Sequence, residues 1–200
     1  MTDLCELALK YGTDKWGPGA HHYTPHYDDL FWDRRNEVKK VLEIGLGNPV
    51  NRPFPDRIYE SGASHRMWEE YFPNAEIYGL DVHTYLLVNE GRIHSFQCNQ
   101  HEEASLQNVL PLIGKDFDLI VDDGSHVPHD QVMTAKYFVP LLAPHGIYVI
   151  EDTWIDPNNV CGNTLRGLVL ADIPYATSVI HCSEDAEQGR GDDRLVLVKP

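Results

Sequence analysis

Two short stretches of this sequence carry carboxylates and imidazole at a density that chance does not explain. One reads Asp122-Asp123-Gly124-Ser125-His126, the other Glu151-Asp152-Thr153. Each follows an apolar run with the look of a strand, Phe117–Val121 and Ile147–Ile150. If those strands are neighbours in a parallel sheet, their carboxyl ends meet and up to four carboxylates share one corner. Such a group repels itself and pushes its own pKa values upward unless a counter-ion sits among it. A hard divalent cation with oxygen ligands is the natural partner; Mg²⁺ is the default and Mn²⁺ the alternative. His126 lies three residues past Asp123 on a Gly-Ser turn. A neutral imidazole there could take a proton near physiological pH. The chemistry this implies is deprotonation of an alcohol assisted by a cation. The alternative is that these acids cap helices and His126 lies on the surface.

A second stretch suggests a cofactor. Val41-Leu42-Glu43-Ile44 ends in Gly45-Leu46-Gly47, and the next strand ends at Asp81. Glycines at a strand end let backbone approach a ligand closely, and an acid on the next strand can accept both hydroxyls of a ribose. A dinucleotide fingerprint needs a third glycine three residues on; Val50 stands there. A nucleoside without a pyrophosphate fits better, which points to S-adenosylmethionine.

The rest of the pattern supplies the scaffold. Helical periodicity covers Leu4–Tyr11, Asp28–Lys39, Ser64–Tyr71 (with Ser61 or Ser64 as cap), Leu106–Leu112 and Asp130–Leu142. Strands are expected at Val41–Ile44, Glu76–Asp81, His94–Gln97, Phe117–Asp123 and Gly146–Asp152. This alternation implies an α/β fold, Rossmann-like and doubly wound. The last two runs, Tyr175–His181 and Arg194–Val198, are joined by a polar segment, Cys182–Asp193, with no room for a crossover helix. They should form an antiparallel hairpin that completes a seven-stranded, mostly parallel sheet. A Pro-rich insertion occupies Asn51–Asp56. Near the N-terminus, Tyr11, His21, His22, Tyr23, His26 and Tyr27 form an aromatic layer that serves either packing or binding.

The 200 residues carry 31 acidic and 16 basic side chains, a formal charge of −15. That disfavours nucleic acid, whose phosphates are bound through clustered Lys and Arg. No apolar run is long enough to span a bilayer, and Met1–Lys10 does not read as a secretory signal. Cys5, Cys98, Cys161 and Cys182 are scattered without metal-site spacing. Free thiols in a reducing cytoplasm are the expectation.

The motifs together resemble class I S-adenosylmethionine-dependent methyltransferases. More narrowly, they resemble the metal-dependent sugar O-methyltransferases of macrolide and related natural-product pathways, of the mycinamicin and macrocin type. The resemblance runs from about Tyr11 to Asp152. It is carried by Tyr11-Gly12-Thr13-Asp14-Lys15, Tyr23-Thr24-Pro25-His26-Tyr27, Val41-Leu42-Glu43-Ile44-Gly45, Arg66–Ala75, Asp122–His126 and Ile150-Glu151-Asp152-Thr153.

The resemblance implies that Asp123, Glu151 and Asp152 hold Mg²⁺ and that His126 is the base. It assigns Glu43, Gly45, Gly47, Asp81 and Asp122 to the cofactor, with Thr13, Lys15 and Tyr23 folding over it. Residues 1–40 then form a cap over the active site and residues 41–200 the methyltransferase domain. The family tends to carry an Asp-Gln pair after the third strand, which would reach the adenine; here the pair is Asn99-Gln100. The macrolide enzymes also carry a further N-terminal domain with no counterpart in these residues. The implied acceptor is a sugar hydroxyl, free or in a glycoside, and the oligomeric state, a homo-oligomer included, is left open. Two other functions compete: methylation of a catechol-like diol, and cofactor binding without catalysis. Catechol enzymes usually pair a lysine base with an Asp-Asp-Asn metal set, so His126 and Glu151 favour the sugar.

Overall fold

The computed structural model describes residues 1–47, 60–153, 170–182 and 194–200. The Pro-rich insertion, Val50, Cys161 and nearly all of the polar Cys182–Asp193 segment lie outside the described residues. Two compact units are present, Met1–Gln97 and Cys98–Pro200.

The first unit contains α1 (Asp3–Tyr11), α2 (Thr24–Phe31), β1 (Lys40–Ile44), α3 (Ala63–Tyr71), β2 (Glu76–Asp81) and β3 (Ile93–Gln97). Thr2 caps α1 by accepting from the Cys5 amide, and Gly12 ends it in the left-handed region at φ 74°. The helix expected at Asp28–Lys39 instead starts at Thr24 and gives way to a 3₁₀ turn, Trp32–Arg34. Pro25 lies in its first turn, where a missing N–H costs nothing and a fixed φ favours the helix. No serine caps α3. Gly62 does so at φ 76°, while the Ser61 hydroxyl donates to the Leu86 carbonyl. The N-terminal aromatic layer packs against α3: Tyr27 meets Trp68 edge-on at 5.1 Å and Phe31 meets Phe72 at 5.4 Å. β1 pairs with β2 and β2 with β3, both parallel.

The second unit contains α4 (Glu103–Ile113), β4 (Phe117–Asp122), α5 (Pro128–Phe138), β5 (Leu142–Ile150), β6 (Ala176–His181) and β7 (Arg194–Lys199). The helix expected to reach Leu142 stops at Phe138, and β5 begins at Leu142, four residues before the expected Gly146. Pro140, in the intervening 3₁₀ turn, cannot continue an α-helix. β4 and β5 are parallel neighbours, and the terminal hairpin pairs antiparallel, β7 against both β5 and β6. Strand order is β3-β2-β1-β4-β5-β7-β6, one seven-stranded sheet. Leu119, Ile120 and Val121 in β4 and Tyr148, Val149 and Ile150 in β5 are fully buried. Continuous burial, not alternation, marks strands covered on both faces.

Candidate active site

In the first unit, the chain leaves β1 through Gly45 at φ 96° and Gly47 at φ 73°. Both lie where a side chain would be strained, which explains the glycines. The loop between them is held at three points. The Gly45 amide donates to the Leu80 carbonyl at 2.8 Å, the Leu46 amide to Asp81 Oδ2 at 3.0 Å, and the Gly62 amide to the Leu46 carbonyl at 2.7 Å. Asp81 Oδ1 accepts the His83 amide at 2.8 Å. Asp81 therefore shapes the loop that follows the neighbouring strand. A carboxylate has about four acceptor sites, so capacity for ligand hydroxyls is left over.

Glu43, expected at the cofactor, is fully buried and serves as a hub. Its carboxylate faces Lys15 Nζ at 3.0 Å, accepts Trp68 Nε1 at 2.9 Å and lies 3.5 Å from His65 Nδ1. Lys15 is 1% exposed. Its carbonyl accepts the Tyr23 and Thr24 amides, and Tyr23 stacks on His21 at 4.5 Å. Thr13 Oγ1 accepts the Lys15 amide at 3.4 Å. The structure thus gathers Thr13 and Tyr23 about the Lys15 backbone, and the Lys15 side chain onto Glu43, a buried layer that ties the N-terminal segment to β1. Removing one partner of a buried ion pair strands the other charge, at about 3–5 kcal/mol. Lys15→Met should lower unfolding stability by that order in a urea titration. The double variant Lys15→Met/Glu43→Gln should recover part of it; a double-variant loss equal to the sum of the two single losses would show that the pair is not coupled.

In the second unit, Asp123, His126 and Asp152 come together, with ligand atoms all within 4.8 Å of one another. His126 Nε2 lies 3.1 Å from Asp123 Oδ1, and its Nδ1 lies 3.4 Å from Asp152 Oδ2. The pairing of β4 with β5 does this: the Glu151 amide still donates to the Asp122 carbonyl, so the two loops leave the sheet side by side. His126 at φ 56° and Asp152 at φ 52° are two of three described non-glycine residues in the left-handed region. Such conformations cost about 1–3 kcal/mol each and concentrate at functional sites. Two carboxylates and an imidazole within such reach fit a divalent cation, the carboxylates being suited to Mg²⁺ or Mn²⁺. Glu151 is 1% exposed and its carboxylate is not among the gathered atoms.

The imidazole was expected to be neutral. Partial burial opposes its charge, but the Asp123 bond and the charges of Asp123, Asp152 and Asp122 prevail and raise its pKa to about 10. Without a cation, His126 is an imidazolium at neutral pH. The neutral imidazole read from the sequence is one beside a bound cation.

Asp122 is fully buried beneath this cluster. It accepts Gln100 Nε2 at 2.7 Å and Tyr148 Oη at 2.8 Å. Burial lifts its pKa to about 6, against the pull of those two bonds. Gln100 spends its other end on the Ser125 amide at 2.7 Å. Asn99 is engaged at the start of α4: its Nδ2 donates to Glu102 Oε1 and its backbone amide to Ser105 Oγ. Asp122, Asn99 and Gln100 are thus committed to internal bonds. Sequence reading passed over Tyr148 and Asp130, whose buried polar groups complete this network. The only available signal was a tyrosine amid an otherwise aliphatic strand.

Over 178 residues the chain is 41% identical to mycinamicin VI 2''-O-methyltransferase of Micromonospora griseorubida, covering 84% of this chain and 42% of that enzyme. It is 39% identical over 153 residues to demethylmacrocin O-methyltransferase of Streptomyces fradiae, covering 76% of this chain and 36% of the other. Over these residues the chain is similar to these two O-methyltransferases. It spans about two-fifths of the length of the curated relatives it matches. The MycE methyltransferase of the mycinamycin pathway, solved with Mg, SAH and mycinamycin VI, superposes with a TM-score of 0.75 at 32% identity, covering 99% of this chain and 54% of that one. A Podospora anserina methyltransferase bound to SAH shares the fold alone, at 17% identity, TM-score 0.57 and coverage of 100% of this chain and 88% of that one. No family model matches. Among the described residues no helix is long and apolar enough to cross a membrane, and Cys5 and Cys98 are free thiols.

Proposed function

We propose that this chain transfers the methyl group of S-adenosylmethionine to a hydroxyl of a sugar or glycosylated natural product, with a divalent cation. The observation that carries the reading is the gathering of Asp123, His126 and Asp152 at the paired ends of β4 and β5. Similarity to enzymes named as O-methyltransferases, and to a structure holding Mg and SAH, supports the reaction class.

In this reading the Gly45–Gly47 loop and Asp81 hold the nucleoside, with Glu43, Thr13, Lys15 and Tyr23 forming the wall behind the loop. Asp122, Asn99 and Gln100 support the site. Asp123 and Asp152 bind the cation, joined by Glu151 as a third carboxylate. A cation there supplies Lewis acidity that eases loss of a hydroxyl proton. His126 takes that proton at Nε2, the nitrogen facing Asp123. As it does, the new O–CH₃ bond forms, the S–CH₃ bond breaks and S-adenosylhomocysteine leaves. The chain's larger task is to hold hydroxyl and sulfonium in line. The reading is tested with labelled S-adenosylmethionine across nucleotide sugars, glycosides and catechols, with and without chelator. Transfer to catechols alone would replace the sugar acceptor, and no transfer to any hydroxyl would remove the catalytic claim.

Two further results are expected. Asp81→Ala should weaken S-adenosylhomocysteine binding by tenfold or more, since charged hydrogen bonds are worth roughly 1.5–3 kcal/mol. Unchanged affinity by calorimetry would take Asp81 out of ribose binding. Cation binding should also release a proton. At pH 8 His126 is protonated in the ion-free chain, its pKa being about 10. A positive charge beside the imidazolium lowers that pKa, so binding should strengthen as pH rises from 7 to 9. Calorimetry of Mg²⁺ in buffers of different ionisation enthalpy should read about one proton released per ion; heats independent of the buffer would show otherwise.

A further inference from the structure

Asp130 is a carboxylate with no role in the reading above, yet its side chain is only 3% exposed. It stands at the third position of α5, whose N-cap is Val127. A carboxylate there normally reaches back to the N-cap amide directly. Here a hydroxyl intervenes. Ser125 Oγ donates to Asp130 Oδ2 at 2.7 Å and accepts the Val127 amide at 3.3 Å. Ser125 is pinned a third time, its own amide donating to Gln100 Oε1 at 2.7 Å. The Val127 carbonyl in turn accepts the Asp130 and Gln131 amides at 2.9 and 3.0 Å. Two more groups face the carboxylate, His101 Nδ1 at 2.6 Å from Oδ2 and His129 Nδ1 at 3.5 Å from Oδ1.

The residue enclosed by these bonds is His126. Its neighbours on both sides, Ser125 and Val127, are held by the same serine hydroxyl. Its own backbone sits at φ 56°, a region uncommon for any residue but glycine. We propose that Asp130, acting through the Ser125 hydroxyl with Gln100 on its far side, is a positioning residue. It holds the His126 backbone left-handed and so aims the ring between Asp123 and Asp152. A helix cap alone would need neither the intervening hydroxyl nor the Gln100 bond. The inference rests on the proposed site for its catalytic consequence, but its geometric claim concerns the ion-free chain.

The test uses the 200-residue chain with ¹⁵N-labelled histidine. The His126 ring signals are assigned by their loss in His126→Gln. Ser125→Ala and Asp130→Asn remove the constraint; Ser125→Thr keeps the hydroxyl; His129→Gln is the control. In Ser125→Ala and Asp130→Asn the His126 ring signals should shift and sharpen toward those of a mobile side chain. Mn²⁺ affinity, read by electron paramagnetic resonance, should fall about 10–100-fold, the usual cost of removing an outer partner of a metal site. Ser125→Thr and His129→Gln should resemble the parent in both readouts. Well-folded Ser125→Ala and Asp130→Asn variants with unchanged His126 signals would overturn the proposal. So would an equal change in Ser125→Thr, since the hydroxyl would then be irrelevant. A parent chain that fails to bind Mn²⁺ would remove the cation site while the ring signals still decide the positioning claim.

Discussion

His126→Ala should lower methyl transfer by about 10²–10⁴-fold, the usual contribution of a general base. The loss should appear in kcat, with S-adenosylhomocysteine affinity nearly unchanged, because the ring lies between Asp123 and Asp152, the carboxylates proposed to hold the cation. His129 provides the control. It is 81% exposed and its ring faces Asp130, so His129→Ala should retain most activity. The rate should fall as pH drops through the pKa of the cation-loaded imidazole, which lies below the value of about 10 found without the ion. Near-normal turnover in the His126 variant with loss in the His129 variant would place the base one turn further along.

The second large effect concerns the carboxylates. Excess chelator should abolish turnover, and Mg²⁺ or Mn²⁺ should restore it. Asp123→Asn and Asp152→Asn should each abolish detectable turnover at Mg²⁺ levels that saturate the parent chain, because each removes a charge from an ion with few protein ligands. The same variants should lower the His126 pKa, since Asp123 and Asp152 are what hold it up against partial burial. Nuclear magnetic resonance titration of the ring reads that independently of activity. Full turnover in chelator would remove the cation from the mechanism. Glu151→Gln addresses the third carboxylate. A buried carboxyl group next in sequence to Asp152 should aid cation affinity, so an unchanged cation titration would exclude Glu151 from the set.

Much of this protein can be read from its residues. The apolar runs Val41–Ile44, Phe117–Val121 and Ile147–Ile150, spaced by helical stretches, determined a parallel sheet, because strands buried on both faces must be nearly all apolar. The short polar stretch between Tyr175–His181 and Arg194–Val198 determined an antiparallel hairpin, because a parallel pairing needs a longer crossover. Gly45 and Gly47 announced a loop that only glycine makes comfortably, and the acids after β4 and β5 announced a charged corner. Helix limits were less legible: Pro25 and Pro140 carry different meanings at a helix start and after its end, and only neighbouring backbone decides which. The tertiary structure alone settled which polar groups face one another. Glu43 is spent on Lys15 and Trp68, and Gln100 on Asp122 and Ser125. It also settled that Asp123, His126 and Asp152 meet, with the Glu151 carboxylate not among the gathered atoms, and that the carboxylates around His126 raise its pKa. Periodicity reports which face of a strand or helix is apolar. Partner choice among buried polar groups, and the sign of a pKa shift, depend on distances between residues far apart in sequence, which no local pattern encodes.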